Sequence, residues 1–305
     1  MKIGMQMAEE DGIMKIVIAD NMEPEVIVEL SKLGQTIVVP SDLKGALADA
    51  DALIVRSATK VTSELLTHAP KLKLVARAGV GLDNVDAEVC KKRGIKVVNT
   101  PAASTNSVAE LALAMMFAIC RKLPKADASM KGKQWLKKEL TGTELAGKTL
   151  GVVGLGRIGA SLAIKASALG MRVLYYDPRQ DGSAMGKKVS LEEIFLSSDY
   201  ISLHVPLVPE TKNMINAGVL AKMKKNAVIL NTARGGLVDE EALYSALKEG
   251  KIGGACLDVY PSEPYSGKLC ELANVVLTPH IAGSTKEAQA RIGQELVAKL
   301  REELG

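Results

Sequence analysis

The sequence predicts an α/β protein with two doubly wound parallel sheets. Three observations favour this fold class. The chain has 305 residues, which is about the length of two average domains. Short runs of β-branched residues alternate with helical stretches along almost the whole chain, and these runs fall into two series. Mostly apolar strands that alternate with helices are typical of parallel sheets covered on both faces.

The first series of strand-like runs predicts the sheet of an N-terminal domain. Between its first two runs, Pro24–Leu33 has the pattern of an amphipathic helix, with proline in the first turn and Gly34 just past the end. The predicted strands are Lys15–Ala19, Thr36–Val39, Ala52–Arg56, Leu72–Arg77 and Ile95–Asn99.

The second series begins at Thr149 and contains six strands, the number in a complete nucleotide-binding sheet. These strands are Thr149–Gly154, Arg172–Asp177, Tyr200–Val205, Ala227–Thr232, Gly254–Val259 and Asn274–Thr278. Between the two series, Thr105–Arg121 reads as a long helix with little polar surface, which predicts burial between domains or between subunits. The last helix, Thr285–Glu303, is amphipathic, and we expect it to pack on the first domain.

Composition argues against several classes of protein. The net charge of +4 is too small to indicate nucleic-acid binding, although it suits small anionic substrates. Aromatic residues make up 3% of the chain, too few for a base-stacking platform. No apolar run reaches the roughly 18–20 residues that span a bilayer, and the start lacks the apolar core of a signal peptide. We therefore expect a cytoplasmic protein without membrane or nucleic-acid partners, in which residues 1–13 form an extension.

The cysteines are scattered, without a Cys-x-x-Cys pair or a cluster of histidines. This spacing predicts no metal site and no disulfide framework, so we expect buried thiols in a reducing compartment. The four residues are Cys90, Cys120, Cys256 and Cys270.

A glycine motif in the second series predicts a dinucleotide site. It consists of Gly154, Gly156 and Gly159, between a β-branched strand and a helix. Such glycines permit a tight turn, a close approach of the backbone to a pyrophosphate, and close packing of helix on strand. Asp177 follows Gly159 by 18 residues, suits the ribose hydroxyls and would repel a 2′-phosphate. This favours NAD over NADP, although Arg179 leaves NADP open, and a turn that binds nothing is the alternative.

Chemically versatile side chains follow three later strands of the same series. Arg234 lies in NTARGG, Asp258 and Glu263 lie in LDVYPSEP, and His280 lies in TPH. The carboxyl ends of parallel strands share one edge of a sheet, where ligands bind. We therefore expect these side chains to surround the cofactor.

This set of side chains suits the oxidation of a 2-hydroxy acid. His280 is the predicted base for the hydroxyl proton, and Glu263 would fix its tautomer and stabilise the imidazolium. Arg234 offers a planar fork to the substrate carboxylate and can polarise the C2 carbonyl, while Asp258 would orient the nicotinamide carboxamide. Taken singly, Arg234, Glu263 and His280 are each explained more simply as solvated or structural residues. His204 is a rival base without a paired acid.

Several segments resemble the D-isomer-specific 2-hydroxyacid dehydrogenase family, namely GVVGLGRIG, NTARGGLVDEEAL, LDVYPSEP and TPHIAGST. Others resemble its phosphoglycerate dehydrogenases in particular, namely RSATKVT, ARAGVGLDNVD, VVNTPAASTNSVAEL and ASMKGKQWLKKELTGTEL. The resemblance implies a flavodoxin-like substrate domain, residues 14–101 plus 284–305, and a Rossmann NAD domain with a dimerisation helix, residues 102–283. It also implies a homodimer or higher homo-oligomer.

The resemblance implies NAD-dependent oxidation of 3-phospho-D-glycerate to 3-phosphohydroxypyruvate, the first step of L-serine biosynthesis. It assigns catalysis to Arg234, Glu263 and His280. The implied cofactor contacts are Gly154, Gly156, Arg157, Ile158, Gly159, Asp177, His204, Val205, Pro206, Thr232, Ala233, Arg234, Asp258, His280, Ala282 and Gly283. The expected substrate contacts are Arg56, Ser57, Arg77, Ala78, Gly79, Ser104 and Lys137.

Two features bear on the phosphate and on regulation. Arg56 and Arg77 end two strands and suit an anionic tail, whereas Lys137 and Lys138 either reach a partner's cleft or are solvated cations. Ser104 stands where relatives often have Asn, which bears on substrate choice. Longer relatives carry a C-terminal regulatory domain; we expect none here, and no serine feedback through one.

Three alternatives remain open from the sequence. A glyoxylate or hydroxypyruvate reductase would use the same chemistry on unphosphorylated oxoacids. A corepressor that senses NAD(H) would share the scaffold without turnover. A formate-type dehydrogenase would need a pocket closed around a one-carbon anion, against which Arg56 and Arg77 argue weakly.

Overall fold

The computed structural model describes residues 13–304, which fall into two compact units. One unit contains the residues up to Ser104 together with those from Lys286 onward, and the other comprises Thr105–Thr285. Apart from Ile13, the predicted extension lies outside the described residues.

The first unit contains a parallel five-stranded sheet with strand order β2-β1-β3-β4-β5. Its central strand, Ala52–Val55, is wholly apolar and buried at every position, as expected for a parallel strand covered on both faces. The elements are β1 (Lys15–Ile18), α1 (Pro24–Ser31), β2 (Gln35–Val38), α2 (Leu43–Ala46), β3 (Ala52–Val55), α3 (Ser63–Thr67), β4 (Leu74–Arg77), α4 (Ala87–Lys92) and β5 (Lys96–Asn99).

The second unit contains a parallel seven-stranded sheet with strand order β12-β11-β10-β9-β6-β7-β8. Its elements are α5 (Thr105–Cys120), α6 (Leu123–Lys131), β6 (Thr149–Val153), α7 (Arg157–Ala168), β7 (Arg172–Tyr176), β8 (Lys187–Lys188), α8 (Leu191–Ser197), β9 (Tyr200–Leu203), α9 (Ala217–Leu220), β10 (Val228–Asn231), α10 (Glu240–Lys248), β11 (Gly254–Leu257) and β12 (Val275–Leu277), with 3₁₀ turns at Gly235–Leu237 and Lys268–Glu271. Both sheets are parallel, so the predicted fold class is confirmed.

The order of the strands in the second sheet creates one reversal point. From β6 the chain proceeds to β7 and β8 on one side, then crosses to β9 on the other side of β6. Crossovers diverge at such a point, which leaves a crevice at the carboxyl ends of β6 and β9. The glycine motif follows β6, so it lies at this crevice.

The last helix, α11 (Lys286–Leu304), belongs to the first unit, as the sequence predicts. Its apolar side chains Ile292 and Leu296 are buried in one cluster with Leu30 of α1. Gly293 permits this packing because a Cβ there would collide with the side chain of Val26.

Helix α5 packs against α7, β11 and β12 of its own unit, and its predicted burial between domains or between subunits stays a prediction. Three sequence predictions need correction. The second sheet has seven strands rather than six, because the short β8 pairs with β7. Lys137 follows a further helix, α6, rather than the long one. Cys270 is exposed, whereas the other three cysteines are buried as expected. Among the described residues, no helix is both long and apolar enough to cross a membrane.

Candidate active site

The glycine turn between β6 and α7 leaves room for a ligand. Gly154 has φ +92°, and a Cβ there would lie 2.6 Å from the carbonyl oxygen of His204. A Cβ at Gly159 would collide with the backbone of Gly154, so both positions require glycine. Around Gly156, by contrast, no described atom beyond its chain neighbours and its own helix backbone lies within 4 Å of a Cβ position. The open side of the turn is therefore at the helix start.

The start of α7 fits a phosphate group. Gly156 is its N-cap residue and supplies no side-chain acceptor for the first backbone N–H groups, at Arg157 and Ile158. Unsatisfied N–H groups at a helix N-terminus attract anions. Together with the open face at Gly156, this geometry fits the pyrophosphate of a dinucleotide.

Asp177 lies directly after β7, and its carboxylate is held by the backbone. Oδ2 accepts a hydrogen bond from the N–H of Leu155 at 2.8 Å, and Oδ1 accepts one from the N–H of Arg179 at 2.8 Å. A carboxylate oxygen has two acceptor sites, so each oxygen can still accept a hydroxyl. The carboxylate is therefore oriented on the glycine turn, where the sequence predicts the ribose.

The segment after β10 is organised by a residue that the sequence analysis did not single out. Asn231 is buried, donates from Nδ2 to the carbonyl oxygen of Arg234 at 2.8 Å, and accepts from the N–H of Ala233 at 3.1 Å. Its position in NTARGG, at a strand end, is the signal that was available. The hydroxyl of Thr232 is buried and has no hydrogen-bond partner among the described residues. Buried hydroxyls normally have a partner, so Thr232 suits a ligand contact.

Glu263 and His280 form a hydrogen-bonded pair. His280 Nδ1 lies 2.8 Å from Glu263 Oε2, and Glu263 Oε1 accepts from the N–H of Tyr260 at 3.1 Å. A carboxylate only accepts, so Nδ1 carries the hydrogen, and in the neutral imidazole Nε2 then holds the lone pair. The side chains of His280 and Glu263 are 47% and 38% exposed, so Nε2 is accessible to a small molecule. An imidazole in this tautomer can take up a proton.

Asp258 holds the segment that carries His280. Its fully buried carboxylate accepts from Thr278 Oγ1 at 2.6 Å and from the N–H groups of Ile281 at 2.8 Å and Ala282 at 2.9 Å. Both oxygens are thus engaged with residues on either side of His280. The predicted contact of Asp258 with a carboxamide stays a prediction. The hydrogen bonds show that Asp258 fixes the segment from Thr278 to Ala282.

The strands place these side chains at one edge of the sheet. In the ladder, Asn231 of β10 pairs with Leu257 of β11, and Leu257 pairs with Leu277 of β12. The three strands therefore end in register, and Arg234 and His280 each follow by three residues. Gly235 also lets the chain after Arg234 approach the backbone of Tyr260, with which a Cβ would collide. Within the described residues no group of three His, Cys, Asp or Glu side chains could hold a metal ion.

His204, the rival base, has a different environment. It directly follows β9, and its Nε2 lies 2.9 Å from a hydroxyl oxygen, Ser202 Oγ, rather than from a carboxylate. Burial lowers the pKa of His204 to about 4, because a buried site disfavours the charged imidazolium. Val205 and Pro206, which follow it, retain exposed surface beside the crevice. His204 is therefore a neutral group near pH 7 and a poor proton acceptor.

We expect the imidazole of His204 to stay uncharged from pH 8 down to about pH 5. Because its pKa is lowered, protonation begins only as the pH falls toward 4. In a proton–carbon NMR titration of the apoenzyme, the ring signal that disappears in His204→Gln should keep a constant shift over this range. A midpoint between pH 6 and 7 for that signal would contradict this assignment.

The predicted substrate residues of the first unit lie at strand ends. Arg56 follows β3 and donates from Nη1 to the carbonyl oxygen of Asn21 at 3.1 Å. The loop from Arg56 to Thr59 is held by the buried carboxylate of Asp20, which accepts from the N–H of Arg56 at 2.5 Å and from Thr59 Oγ1 at 2.6 Å. Asn84 binds the carbonyl oxygens of the same two residues at 2.8 and 2.6 Å. Asp20 and Asn84 had not been singled out in the sequence.

The remaining predicted substrate residues differ in exposure. Arg77 ends β4, and a Cβ at Gly79 would collide with its guanidinium, so the glycine makes room for it. Ser57 and Lys137 are exposed, whereas Ala78 and Ser104 are buried. The exposed side chain of Ser57 is therefore better placed than that of Ser104 to contact a substrate that arrives from solvent.

Comparison with known proteins agrees with this geometry. Residues 113–282 match the family described as D-isomer specific 2-hydroxyacid dehydrogenase, NAD binding domain. A hydroxypyruvate reductase of Thermotoga maritima is 49% identical over 269 residues, 87% of this chain and 88% of that protein. A D-3-phosphoglycerate dehydrogenase of Methanocaldococcus jannaschii is 45% identical over 302 residues, and the match covers 96% of this chain but only 58% of that longer protein.

The fold comparison leads to the same family. A crystal structure of D-lactate dehydrogenase from Aquifex aeolicus, complexed with NAD and lactic acid, superposes with a TM-score of 0.85. The two chains are 34% identical, and the match covers 95% of each. Because the family match, the sequence relatives and the fold agree, this chain belongs to the D-isomer specific 2-hydroxyacid dehydrogenase family and is an NAD-dependent enzyme of that family.

Proposed function

We propose that this dehydrogenase oxidises 3-phospho-D-glycerate to 3-phosphohydroxypyruvate, the first step of L-serine biosynthesis. The observation that carries the chemistry is the 2.8 Å pair of His280 and Glu263, on a strand end in register with that of Arg234. The proposal that the substrate carries a phosphate is supported by two cations at strand ends of the first unit, Arg56 and Arg77. The relative from M. jannaschii bears the name of this activity.

In the proposed mechanism, each catalytic side chain has a defined role. Arg234 binds the substrate carboxylate through its planar guanidinium and polarises the oxygen on C2. Nε2 of His280 takes the proton of the C2 hydroxyl, while Glu263 holds the Nδ1 hydrogen and stabilises the imidazolium. The glycine turn at Gly156 and the carboxylate of Asp177 would hold NAD, which would supply the hydride acceptor for C2. In the reverse direction His280 returns the proton to the carbonyl oxygen.

We further propose that the cofactor contacts of this chain are those the sequence predicts. The open turn at Gly156 would receive the pyrophosphate, and Asp177 the ribose hydroxyls. The unpartnered hydroxyl of Thr232 would meet the nicotinamide half. Arg56, Ser57, Arg77, Ala78, Gly79 and Ser104 are the substrate contacts that we propose on the first unit.

A homodimer is proposed for the same enzyme. Large apolar side chains are exposed along α5, α6 and the segment after them. Exposed large apolar side chains that lie within one stretch of sequence favour an interface, and closed two-fold dimers are the commonest assemblies. The residues are Phe117, Leu123, Met130 and Trp135, with Lys137 in the same segment. Light scattering that returned the mass of one chain, 32.3 kDa, would exclude the dimer.

A second candidate is hydroxypyruvate or glyoxylate reduction. It is favoured by the hydroxypyruvate reductase of T. maritima, which matches this chain over 88% of its own length. The two candidates share the His280 chemistry and differ in whether the substrate carries a phosphate.

A substrate panel separates the two candidates. With NAD, kcat/KM for 3-phosphoglycerate should exceed that for glycerate and D-lactate by at least about tenfold, since a lost charged contact is worth that much or more. Arg56→Gln should remove most of this preference, whereas Lys60→Gln, an exposed cation in the same loop, should leave it. Equal rates on phosphorylated and unphosphorylated acids, with no response to Arg56→Gln, would favour the reductase.

Replacing Asp177 by Asn should change the choice of cofactor. The amide keeps the size of the side chain and one acceptor oxygen but removes the charge that repels a 2′-phosphate. The ratio of kcat/KM for NAD to that for NADP is expected to fall at least about tenfold. Asp181→Asn, on an exposed neighbouring carboxylate paired with Lys188, is the control. An unchanged ratio in Asp177→Asn would refute the ribose contact.

A further inference from the structure

We infer that Tyr265 is a positioning residue for the Glu263–His280 pair, through the loop from Tyr260 to Gly267. The inference rests on the proposed role of that pair. Glu263 lies among exposed residues, Pro261, Ser262 and Pro264, and its side chain is 38% exposed. A carboxylate in such a loop would sample many positions, and ordering it costs conformational entropy. Something must therefore hold the loop.

One anchor of the loop is a pair of stacked aromatic rings. The ring centroids of Tyr260 and Tyr265 are 4.2 Å apart, with planes inclined by 13°. Tyr260 is itself fixed, because its hydroxyl lies 3.0 Å from the carbonyl oxygens of both Leu257 and Thr278. Leu257 is the last residue of β11, and Thr278 directly follows β12. The stacking contact therefore holds the Tyr265 ring against Tyr260, which is itself bound at the sheet edge that carries His280.

The second anchor is a hydrogen bond to α10. The hydroxyl of Tyr265 donates to Oε1 of Glu240, the first residue of that helix, at 2.8 Å. A Cβ at Gly267 would collide with this hydroxyl and lie 2.7 Å from the same carboxylate oxygen, so glycine leaves space for the bond. Burial, followed by the bond to Glu240, raises the pKa of Tyr265, which keeps its hydroxyl protonated and donating.

The two anchors enclose Glu263. Tyr260 precedes it by three residues and Tyr265 follows it by two, and both rings are held to regular structure. Between them, Glu263 spans the N–H of Tyr260 at 3.1 Å and Nδ1 of His280 at 2.8 Å. Loss of the Tyr265 ring would release the loop after Glu263. The carboxylate would then meet His280 for a smaller fraction of the time.

The test is a double-mutant cycle in the full-length enzyme. Tyr265→Ala should lower kcat about tenfold while KM for the 2-hydroxy acid and Kd for NAD change less than twofold. Tyr265→Phe keeps the stack and loses only the hydroxyl, so it should retain most of the activity. In the Glu263→Gln background, Tyr265→Ala should cost less than twofold, because the group through which it acts is already impaired. Tyr244→Ala, a tyrosine of α10 outside the loop, should leave kcat unchanged.

The outcomes distinguish this inference from the function on which it rests. If Glu263→Gln alone leaves kcat unchanged, the catalytic pair itself is wrong, and the inference falls with it. If Glu263→Gln lowers kcat but Tyr265→Ala has no effect, or adds its full tenfold in the double variant, only the positioning role is overturned. Should Tyr265→Ala fail to fold in a thermal melt, Tyr265→Leu takes its place in the cycle with the same expected outcomes, because it keeps apolar volume but removes both the ring stack and the hydroxyl.

Discussion

Replacing His280 by Asn should lower kcat for oxidation of the 2-hydroxy acid by at least about 100-fold, because general acid–base catalysis contributes about that much. The side chain lost is the one whose Nδ1 is bound to Glu263 and whose Nε2 is left to accept a proton. Asn is the appropriate replacement because residue 280 has φ +53°, a conformation that Asn adopts more readily than most residues. The rate is measured from the absorbance of the reduced cofactor with both substrates saturating.

Chemical rescue separates loss of the proton acceptor from loss of structure. His280→Gly tolerates the same positive φ and leaves space for an imidazole, which can enter because the native side chain is 47% exposed. Added imidazole should restore part of the turnover of His280→Gly. It should not change the turnover of His68→Asn, a variant at an exposed histidine that should behave as wild type. Retention of more than a tenth of kcat in His280→Asn would show that another group accepts the proton.

Most strands could be predicted from the sequence because a doubly covered parallel sheet makes them apolar throughout. The observed bounds lie within two residues of the predicted ones, and the differences arise mainly at the polar ends. The prediction for β10 ran on to Thr232, whereas the strand ends at Asn231. There the side chain of Asn231 bonds to the backbone of Ala233 and Arg234 and turns the chain. A strand pattern contains no information about such a side-chain contact.

Two elements gave no usable signal. Strand β8 consists of two exposed lysines, and it exists only because Leu174 and Tyr175 of β7 offer a ladder beside it. Helix α6 is separated from α5 by Lys122, whose φ of +53° ends one helix before the next begins. A positive φ at lysine follows from packing rather than from residue preference, so the sequence indicated a single helix followed by a loop.

The site was predictable in its residue types but not in its pairings. Parallel strands deliver their following residues to one edge, so Arg234, Asp258 and His280 could be expected together before any coordinates. The path of the loops decides which atoms meet. The loops place the Asp258 carboxylate against the backbone N–H groups that follow His280, and they place the Tyr265 hydroxyl against the Glu240 carboxylate. Neither contact follows from spacing, because each joins residues at least 23 positions apart.

The other large effect is expected at Arg234. Arg234→Gln should lower kcat/KM for the 2-hydroxy acid by about 1,000-fold, since it removes both the paired charge and the polarisation of the C2 oxygen. Arg234→Lys keeps the charge but offers a single ammonium instead of a planar fork, so its kcat/KM should lie between those of Arg234→Gln and the wild-type enzyme. Both variants are measured by steady-state kinetics with NAD saturating, and Kd for NAD is measured separately to detect damage to the cofactor site.

The matched control lies at the opposite edge of the same sheet. Arg172 is the exposed first residue of β7, at the amino end, so Arg172→Gln removes the same charge from the same unit without approaching the strand ends that hold Arg234 and His280. If Arg172→Gln left kcat/KM unchanged while Arg234→Gln lowered it about 1,000-fold, the loss would be caused by the position of Arg234 at the carboxyl edge and not by the change in net charge. Full activity in Arg234→Lys would instead mean that a point charge suffices, and the bidentate carboxylate contact would have to be abandoned.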